Sequence, residues 1–467
     1  MPTAHSTIGQ EPVSIEMLHR FDKPVPRYTS YPTAPEWGEI EPKTYTEHLQ
    51  QLNATSRPLS LYFHIPFCRT MCLFCGCSVL LNRKPENEER YVAYLLKEME
   101  LVRGHLREDH VVTQLHFGGG TPTKLTTDQL ARIWHKIHEL YRVDPNGELA
   151  MEIDPRTVLP DNGEKLRFLR SLGFNRVSFG VQDTNPKVQE AIKRRQSYAM
   201  SRQTFELARE LEFTGINLDL IYGLPYQTEE TFQDTVERIA ELRPDRIALF
   251  SYARVPWLKP HQKAIPEAAL PSTEEKFRIY IRARQELLAA GYVALGMDHF
   301  ALPNDPLAQA YISGRLHRNF QGYTLNLAED MVGHGITAIG QVQNGFFQNR
   351  KTLDEYYQCL DNGVLPVFRG KVLTTDDRLR RWAIQSLMCQ FSVNKEEFAD
   401  HAKQKWADYF KDEQPSIEAA KEEGLLTEDA QYLHVTSLGR LFVRNVAALF
   451  DYYLRHKKGC NAFSKGV

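Results

Sequence analysis

The sequence has no apolar run long enough to span a bilayer. Its longest, such as RIALFSY at 246–252, fall far short of the ~20 residues that a membrane helix needs, so no membrane insertion is expected. Net charge is almost absent. The 57 Lys and Arg residues face 59 Asp and Glu, leaving −2, and this removes the electrostatic case for nucleic-acid binding. The first residues, MPTAHSTIGQEPVSIEML, lack a basic start followed by an apolar core, so they do not read as a secretory signal. The ending KKGCNAFSKGV does not place Cys460 four residues from the end, as a lipidation box requires. Cysteine is scarce: seven residues, four of them between 68 and 77, with Cys359, Cys389 and Cys460 scattered. That pattern argues against a disulfide framework and for a reducing, cytoplasmic compartment. No Gly-Lys-Ser/Thr follows the glycine-rich segment, so there is no P-loop. No internal repeat or low-complexity segment is visible. At 467 residues the chain exceeds one small core, so a large catalytic domain with one or two smaller regions is expected.

What is present is Cys68-Arg-Thr-Met-Cys72-Leu-Phe-Cys75-Gly-Cys77. The first three cysteines follow C-x3-C-x2-C spacing, with an aromatic residue, Phe74, before the third. Three thiolates can hold three irons of a [4Fe–4S] cluster and leave the fourth iron open, whereas ferredoxins supply four cysteines. An open iron is what the amino and carboxylate groups of S-adenosylmethionine need. One electron from such a cluster then breaks the sulfonium and releases a 5′-deoxyadenosyl radical, which is cofactor chemistry that the protein orients and shields. The competing readings are a zinc site and unligated structural thiols. Zinc usually takes two separated cysteine pairs, or cysteine with histidine. Here no second pair exists, and a Cys3His site using His64 is less natural at this spacing. Cys77 is open to three readings: a ligand, a redox partner, or a buried small residue beside the cluster. The last two are favoured, because a fourth ligand would close the site.

From residue 58 short apolar runs alternate with segments of helical period. The runs are LSLYFHI (59–65), TQLHFGG (113–119), ELAMEI (148–153), RVSFGV (176–181), INLDLIYG (216–223) and RIALFSY (246–252). Strands alternating with helices imply β-α-β units and a parallel sheet. Six units are too few for a closed eight-strand barrel but suffice for a partial one. The expected fold is therefore α/β, a partial (β/α)6 TIM-like barrel. An N-terminal extension (1–57) precedes the catalytic region (58–365). A mainly helical, winged-helix-like C-terminal domain (366–467) follows. In parallel architectures the chemistry sits at the C-terminal ends of the strands, where the cysteine loop and the later motifs fall.

Phe117-Gly-Gly-Gly-Thr-Pro-Thr123 follows the second strand, and its glycines permit close backbone approach. The bland reading is a simple strand-to-helix turn; the functional one is backbone carbonyls that accept from the methionine ammonium of the cofactor. Glu152 and Asp154, at the third strand end, alternate faces and are not expected to point inward together. Glu152 suits ribose hydroxyls, and Asp154 before Pro155 suits a turn. Gln182 ends the fourth strand. Arg194, placed in the following helix, can grip a carboxylate. Asp219 inside an apolar strand needs a partner, as a cofactor contact or half of a core ion pair. Arg27, Arg254, His299, His317 and Arg318 occur in loop-like, aromatic-rich contexts. Singly, each reads as a surface or structural group; as a set they suit a polyanionic substrate. The segment around His317-Arg318-Asn319 looks superficially like a kinase catalytic loop but lacks its Asp.

Together, PRYTSYPT, HIPFCRTMCLFCGC, HFGGGTPT, EIDPR, GFNRVSFGVQD, DLIYGLPYQT, GMDHFA, HRNFQGYT and VTSLGRLFVRN resemble the oxygen-independent coproporphyrinogen III oxidases, radical S-adenosylmethionine enzymes of haem synthesis. The likeness covers nearly the whole chain. Cys77 after Gly76, with PRYTSYPT and HRNFQGYT, makes it more specific than the cysteine triplet alone. The resemblance implies a [4Fe–4S] cluster on Cys68, Cys72 and Cys75, and two S-adenosylmethionine molecules. It implies cofactor contacts at Tyr62, Phe74, Gly119, Gly120, Thr121, Glu152, Gln182, Arg194, Asp219, Ala253 and Ile339. It implies oxidative decarboxylation of two propionates of coproporphyrinogen III to vinyl groups, giving protoporphyrinogen IX. A reductase or a flavodoxin- or ferredoxin-type donor would supply electrons to a monomer. Another tetrapyrrole-acting radical enzyme, or a haem-binding chaperone that retains the cluster, is the alternative.

Overall fold

The computed structural model describes residues 13–325, 328–456 and 463–465; Cys460 lies outside them. The chain forms two compact units, one from 37–220 with 327–372, the other from the described parts of 1–36, 221–326 and 373–467. Among the described residues no helix is long and apolar enough to cross a membrane.

The first unit holds five parallel strands paired in chain order: β1 (Leu59–Ile65), β2 (Val111–Gly119), β3 (Arg142–Ile153), β4 (Arg176–Gln182) and β5 (Gly215–Tyr222). Six of the seven β1 residues are buried, as expected of a strand covered on both faces. The helices α1 (Pro85–Arg103), α2 (Thr127–Leu140) and α3 (Glu164–Ser171) make the crossovers. α2 shows why these segments become helices. Thr126 and Gln129 form a capping box, and Leu130, Ile133, Trp134 and Ile137 follow as one buried stripe. The other edge of β1 pairs in parallel with Asp330–His334, and antiparallel strands 339–342, 345–349 and 367–372 continue the sheet. Rings pack beneath it: Phe63 stacks on Phe117 at 4.8 Å, and Phe117 meets Phe174 edge-on at 5.7 Å.

The second unit carries the sixth β/α repeat, helix α6 (Glu229–Leu242) and strand β6 (Arg246–Ser251). It also holds a core in which Tyr28 and Tyr31 pack with Phe398, Trp406, Phe410 and Phe450. The N-terminal segment is thus part of that core, tied by the Tyr28 hydroxyl donating to Asp451 at 3.0 Å. Three short strands, 392–394, 426–428 and 432–435, form an antiparallel sheet among helices.

One local expectation changes. The helix expected after β4, carrying Arg194, is two helices, α4 (Pro186–Ala191) and α5 (Tyr198–Glu210). Arg194 lies in the link between them, where Lys193 takes a positive φ of 54°. Residues 293–301 form a hairpin of strands 293–295 and 299–301, turned at Gly296 with φ +55°. Near the C-terminal end three short helices follow one another, Ser437–Leu441, Val443–Ala448 and Tyr452–His456, because Phe442 leaves helical geometry at φ −116° and Asp451 restarts the chain by accepting from Leu454 N–H.

Candidate active site

The C-terminal ends of β1 to β5 surround one cavity of about 440 Å³. Cys68, Cys72, Cys75 and Cys77 line it with Phe74, Gly119, Gly120, Thr121, Glu152, Gln182, Arg194 and Asp219. The glycines explain how the second strand end reaches the cysteine loop. Gly120 N–H donates to Ile65 carbonyl at 2.8 Å and Thr121 N–H to Phe67 carbonyl at 3.0 Å. A Cβ on Gly120 would stand 2.6 Å from the Pro66 carbonyl, and one on Gly119, at φ +116°, 2.6 Å from the His64 ring. Gly119→Ala is therefore expected to cost about 1–3 kcal/mol of stability, read from urea unfolding. An unchanged midpoint would show that the ring moves aside freely.

The parallel register sets the carboxylates. Glu152 stands opposite Ser178, and Gly180 opposite Asp219. Glu152 accepts from Gly119 N–H at 3.1 Å and pairs with His116 Nε2 at 3.3 Å. Its side chain is 45% exposed, toward the cavity. Enclosure by the strand ends pushes its pKa up, but His116, the Gly119 N–H and His64 together hold it below the ordinary value. Asp154 was expected to face away from Glu152. It instead lines the same cavity, because side chains two residues apart along extended chain share a face, so alternation puts Asp154 on the side of Glu152. Asp154 also serves the expected turn, accepting from Arg156 N–H at 3.0 Å. Against its burial, Arg194 at 3.4 Å and Arg156 at 2.6 Å bring its carboxyl down to about 2.

Arg194 is buried and donates to the Gly180 carbonyl at 2.7 Å and to Cys72 Sγ at 3.7 Å. Arg156 donates to the same sulfur at 3.8 Å. Asp219 accepts from Asn217 at 2.6 Å and Ser178 at 3.2 Å. Burial, and then the negative charge of Glu152, still raise it to about 7. A carboxyl whose folded value exceeds its unfolded one stabilises below about pH 3.8 and loses that contribution as pH rises through about 7. Wild-type Tm should therefore fall between about pH 5 and about pH 8 more than that of Asp219→Asn. Equal slopes would remove Asp219 as the cause.

The remaining expected contacts are placed elsewhere. Tyr62 stacks on His116 at 5.9 Å and bonds His64 Nδ1 at 3.0 Å. Ile339 opens the strand 339–342 and does not line the cavity. Ala253, in the second unit, accepts from Gln262 at 3.2 Å. Cys77 is exposed rather than buried. In the second unit Asp298 gathers three of the five basic candidates. It pairs with Arg27, accepts from His299 Nδ1 at 2.6 Å, and is held far below the usual carboxylate range. Against its burial, His299, Arg27 and Arg318 supply that effect. Arg318 is buried over the Tyr323 ring at 4.5 Å and donates Nε to the Arg27 carbonyl at 3.3 Å. His299, His317 and Arg318 sit on short strands rather than loops. His317 is pushed down to about 4 by burial, and Arg254 pairs instead with Glu267 at 2.9 Å. Sequence reasoning missed His116, Arg156, Ser178 and Asn217. Strand alternation gives a signal for two of them: His116 lies two residues before Gly118, and Asn217 two before Asp219.

The residues present fit an iron–sulfur cluster with a polar ligand. Among the described residues no three Cys, His, Asp or Glu side chains converge closely enough to hold a single metal ion, so the cysteines are not arranged as a mononuclear zinc site. Burial pushes Cys68 up to about 11, and Cys75 and Cys72 add to it. Three thiolates therefore need compensating positive charge among them. Gln182 Oε1 and Arg194 Nε are buried without partners, each a cost of about 1–3 kcal/mol unless a ligand answers it.

The class is given by comparison as well. The Radical SAM superfamily matches residues 62–239, and the HemN C-terminal domain matches 373–442. This superfamily implies a [4Fe–4S] cluster and S-adenosylmethionine. The chain is 42% identical over 459 residues to the oxygen-independent coproporphyrinogen III oxidase of Synechocystis sp., covering 97% of this chain and 98% of that one. It is 40% identical to the enzyme of that name from Escherichia coli (strain K12), covering 97% and 98%. A solved structure of coproporphyrinogen III oxidase (HemN) from Escherichia coli, described as a radical SAM enzyme, superposes with a TM-score of 0.87 at 40% identity, covering 91% of this chain and 97% of that one. The chain belongs to the oxygen-independent coproporphyrinogen III oxidase family, and its fold is that family's α/β barrel with a helical C-terminal region.

Proposed function

We propose that this protein converts two propionate side chains of coproporphyrinogen III to vinyl groups, giving protoporphyrinogen IX. The observation that carries this reading is the single cavity in which three cysteines meet Glu152, Gln182, Arg194 and Asp219. Cys68, Cys72 and Cys75 would hold the [4Fe–4S] cluster, which with S-adenosylmethionine would supply the hydrogen-abstracting chemistry. Glu152, kept ionised by His116 and Gly119 N–H, takes the ribose hydroxyls. Arg194 and Gln182 meet the polar end of the cofactor, with Tyr62, Phe74, Gly119, Gly120, Thr121 and Asp219 completing the contacts. The family resemblance adds Ala253 and Ile339 to the cofactor contacts and implies two S-adenosylmethionine molecules.

Arg27, His299 and Arg318, with Arg254 and His317, receive the substrate carboxylates. The guanidinium fork suits them, and Arg318 Nη1 is buried without a partner. Each decarboxylation removes one hydrogen atom from the propionate β-carbon, releases carbon dioxide and leaves one electron for an acceptor. The enzyme works as a cytoplasmic monomer, fed by a reductase or a flavodoxin- or ferredoxin-type donor. Its functional division is 1–57, 58–365 and 366–467. Product analysis tests the reading: anaerobic enzyme with reductant and S-adenosylmethionine should convert coproporphyrinogen III to protoporphyrinogen. Tight haem binding without decarboxylation would move the function to a chaperone.

Glu152→Ala is expected to raise the Kd for S-adenosylmethionine about 10- to 100-fold, the worth of a hydrogen bond to a charged group, with the cluster spectrum unchanged. Unchanged affinity would remove the ribose role.

A further inference from the structure

Beside the active-site cavity lies a second of about 690 Å³. The two share Arg69, Thr70, Lys124, Arg156 and Thr157. Its lining is strongly basic for a chain of net charge −2. Arg69, Arg83, Lys124, Arg156 and Lys165 face one acid, Asp161. Lys124 and Arg156 are already paired, with Glu88 and Asp154. The surplus therefore rests on Lys165, which donates to the Thr123 carbonyl at 2.7 Å, and on Arg69 and Arg83. Both arginines are exposed, and among the described residues neither has an ion-pair partner. Leu81, two residues before Arg83, is 57% exposed. Exposed arginines around an exposed leucine have the make-up of a protein-docking rim rather than a buried small-anion site.

We propose that this basic surface, centred on Arg69 and Arg83, docks an acidic one-electron donor protein of the flavodoxin or ferredoxin class. The inference rests on the cluster assignment above. A cluster on Cys68, Cys72 and Cys75 needs an electron that the chain does not generate itself. Arg69 follows Cys68 directly, so a partner seated there stands next to the cysteine loop. In the transfer the donor is oxidised by one electron, and no bond or proton changes hands. Weak, charge-steered contacts of this kind suit a donor that must leave after each electron.

The test is surface plasmon resonance between cluster-loaded enzyme and reduced flavodoxin at ionic strengths of about 0.01 M and about 0.15 M, where the Debye length falls from about 30 Å to about 8 Å. Wild-type binding should weaken about tenfold across that range, and R69E/R83E should bind about tenfold more weakly at low salt, with little salt dependence left. Arg83→Glu alone should slow cluster reduction by flavodoxin, followed by electron paramagnetic resonance, while reduction by dithionite keeps its wild-type rate. Wild-type affinity in R69E/R83E, or equal slowing with both reductants, would overturn the proposal. These readouts use no tetrapyrrole, so a failure of decarboxylation leaves them standing.

Discussion

Cys72→Ser is expected to leave the protein with background iron and sulfide after anaerobic reconstitution, and with no detectable cleavage of S-adenosylmethionine. Cys72 is the most enclosed of the four clustered cysteines, 8% exposed, and its sulfur accepts from both Arg194 and Arg156. A serine hydroxyl there is shorter, and it does not supply the thiolate that an iron–sulfur cluster takes. The fold should survive, because the loop is also pinned by backbone bonds from Leu73 N–H to Ile192 and from Leu80 N–H to Pro66. Cys77→Ser, at the exposed fourth position, should keep the cluster. Full iron–sulfur absorbance and activity in Cys72→Ser would contradict the ligand assignment. Loss of the cluster in Cys77→Ser would make Cys77 a ligand.

Arg194→Met is expected to have the largest effect on stability. It removes a buried guanidinium that joins Asp154, the Gly180 carbonyl and Cys72. Breaking a buried ion pair by removing one partner costs about 3–5 kcal/mol. The lower end is expected here, because Arg156 stays with Asp154. Met keeps most of the stem volume, so lost packing contributes little. Asp154→Asn added to Arg194→Met should recover part of the loss, since the stranded charge is then gone. Urea unfolding of the cluster-free variants gives both numbers. A double variant as unstable as the sum of the singles would mean that the two residues act independently. Lysine at 194 should not restore affinity for S-adenosylmethionine, because a point charge does not reproduce the fork.

The catalytic half of the fold was legible because its strands are short, apolar and bounded by turn residues. LSLYFHI at 59–65 matches β1 residue for residue. The cysteine loop, the glycine run and Glu152 were legible for a different reason: their residue types admit few other uses at those spacings. Asp154 was legible too, because two residues after Glu152 it shares that face of the extended chain. What was hidden depended on where helices break. Arg194 reached Cys72 because a positive-φ turn at Lys193 breaks a segment whose period reads as one helix. The gathering of Arg27, His299 and Arg318 around Asp298 joins positions almost 300 residues apart, and no local pattern encodes it.

The central claim is that a radical made in this cavity removes a hydrogen from a propionate β-carbon. Coproporphyrinogen III deuterated at those carbons, turned over anaerobically with reductant and S-adenosylmethionine, tests it directly. Mass spectrometry of the 5′-deoxyadenosine should show one deuterium per molecule, and one 5′-deoxyadenosine should form for each vinyl group. Unlabelled 5′-deoxyadenosine, or its formation without protoporphyrinogen, would contradict the account.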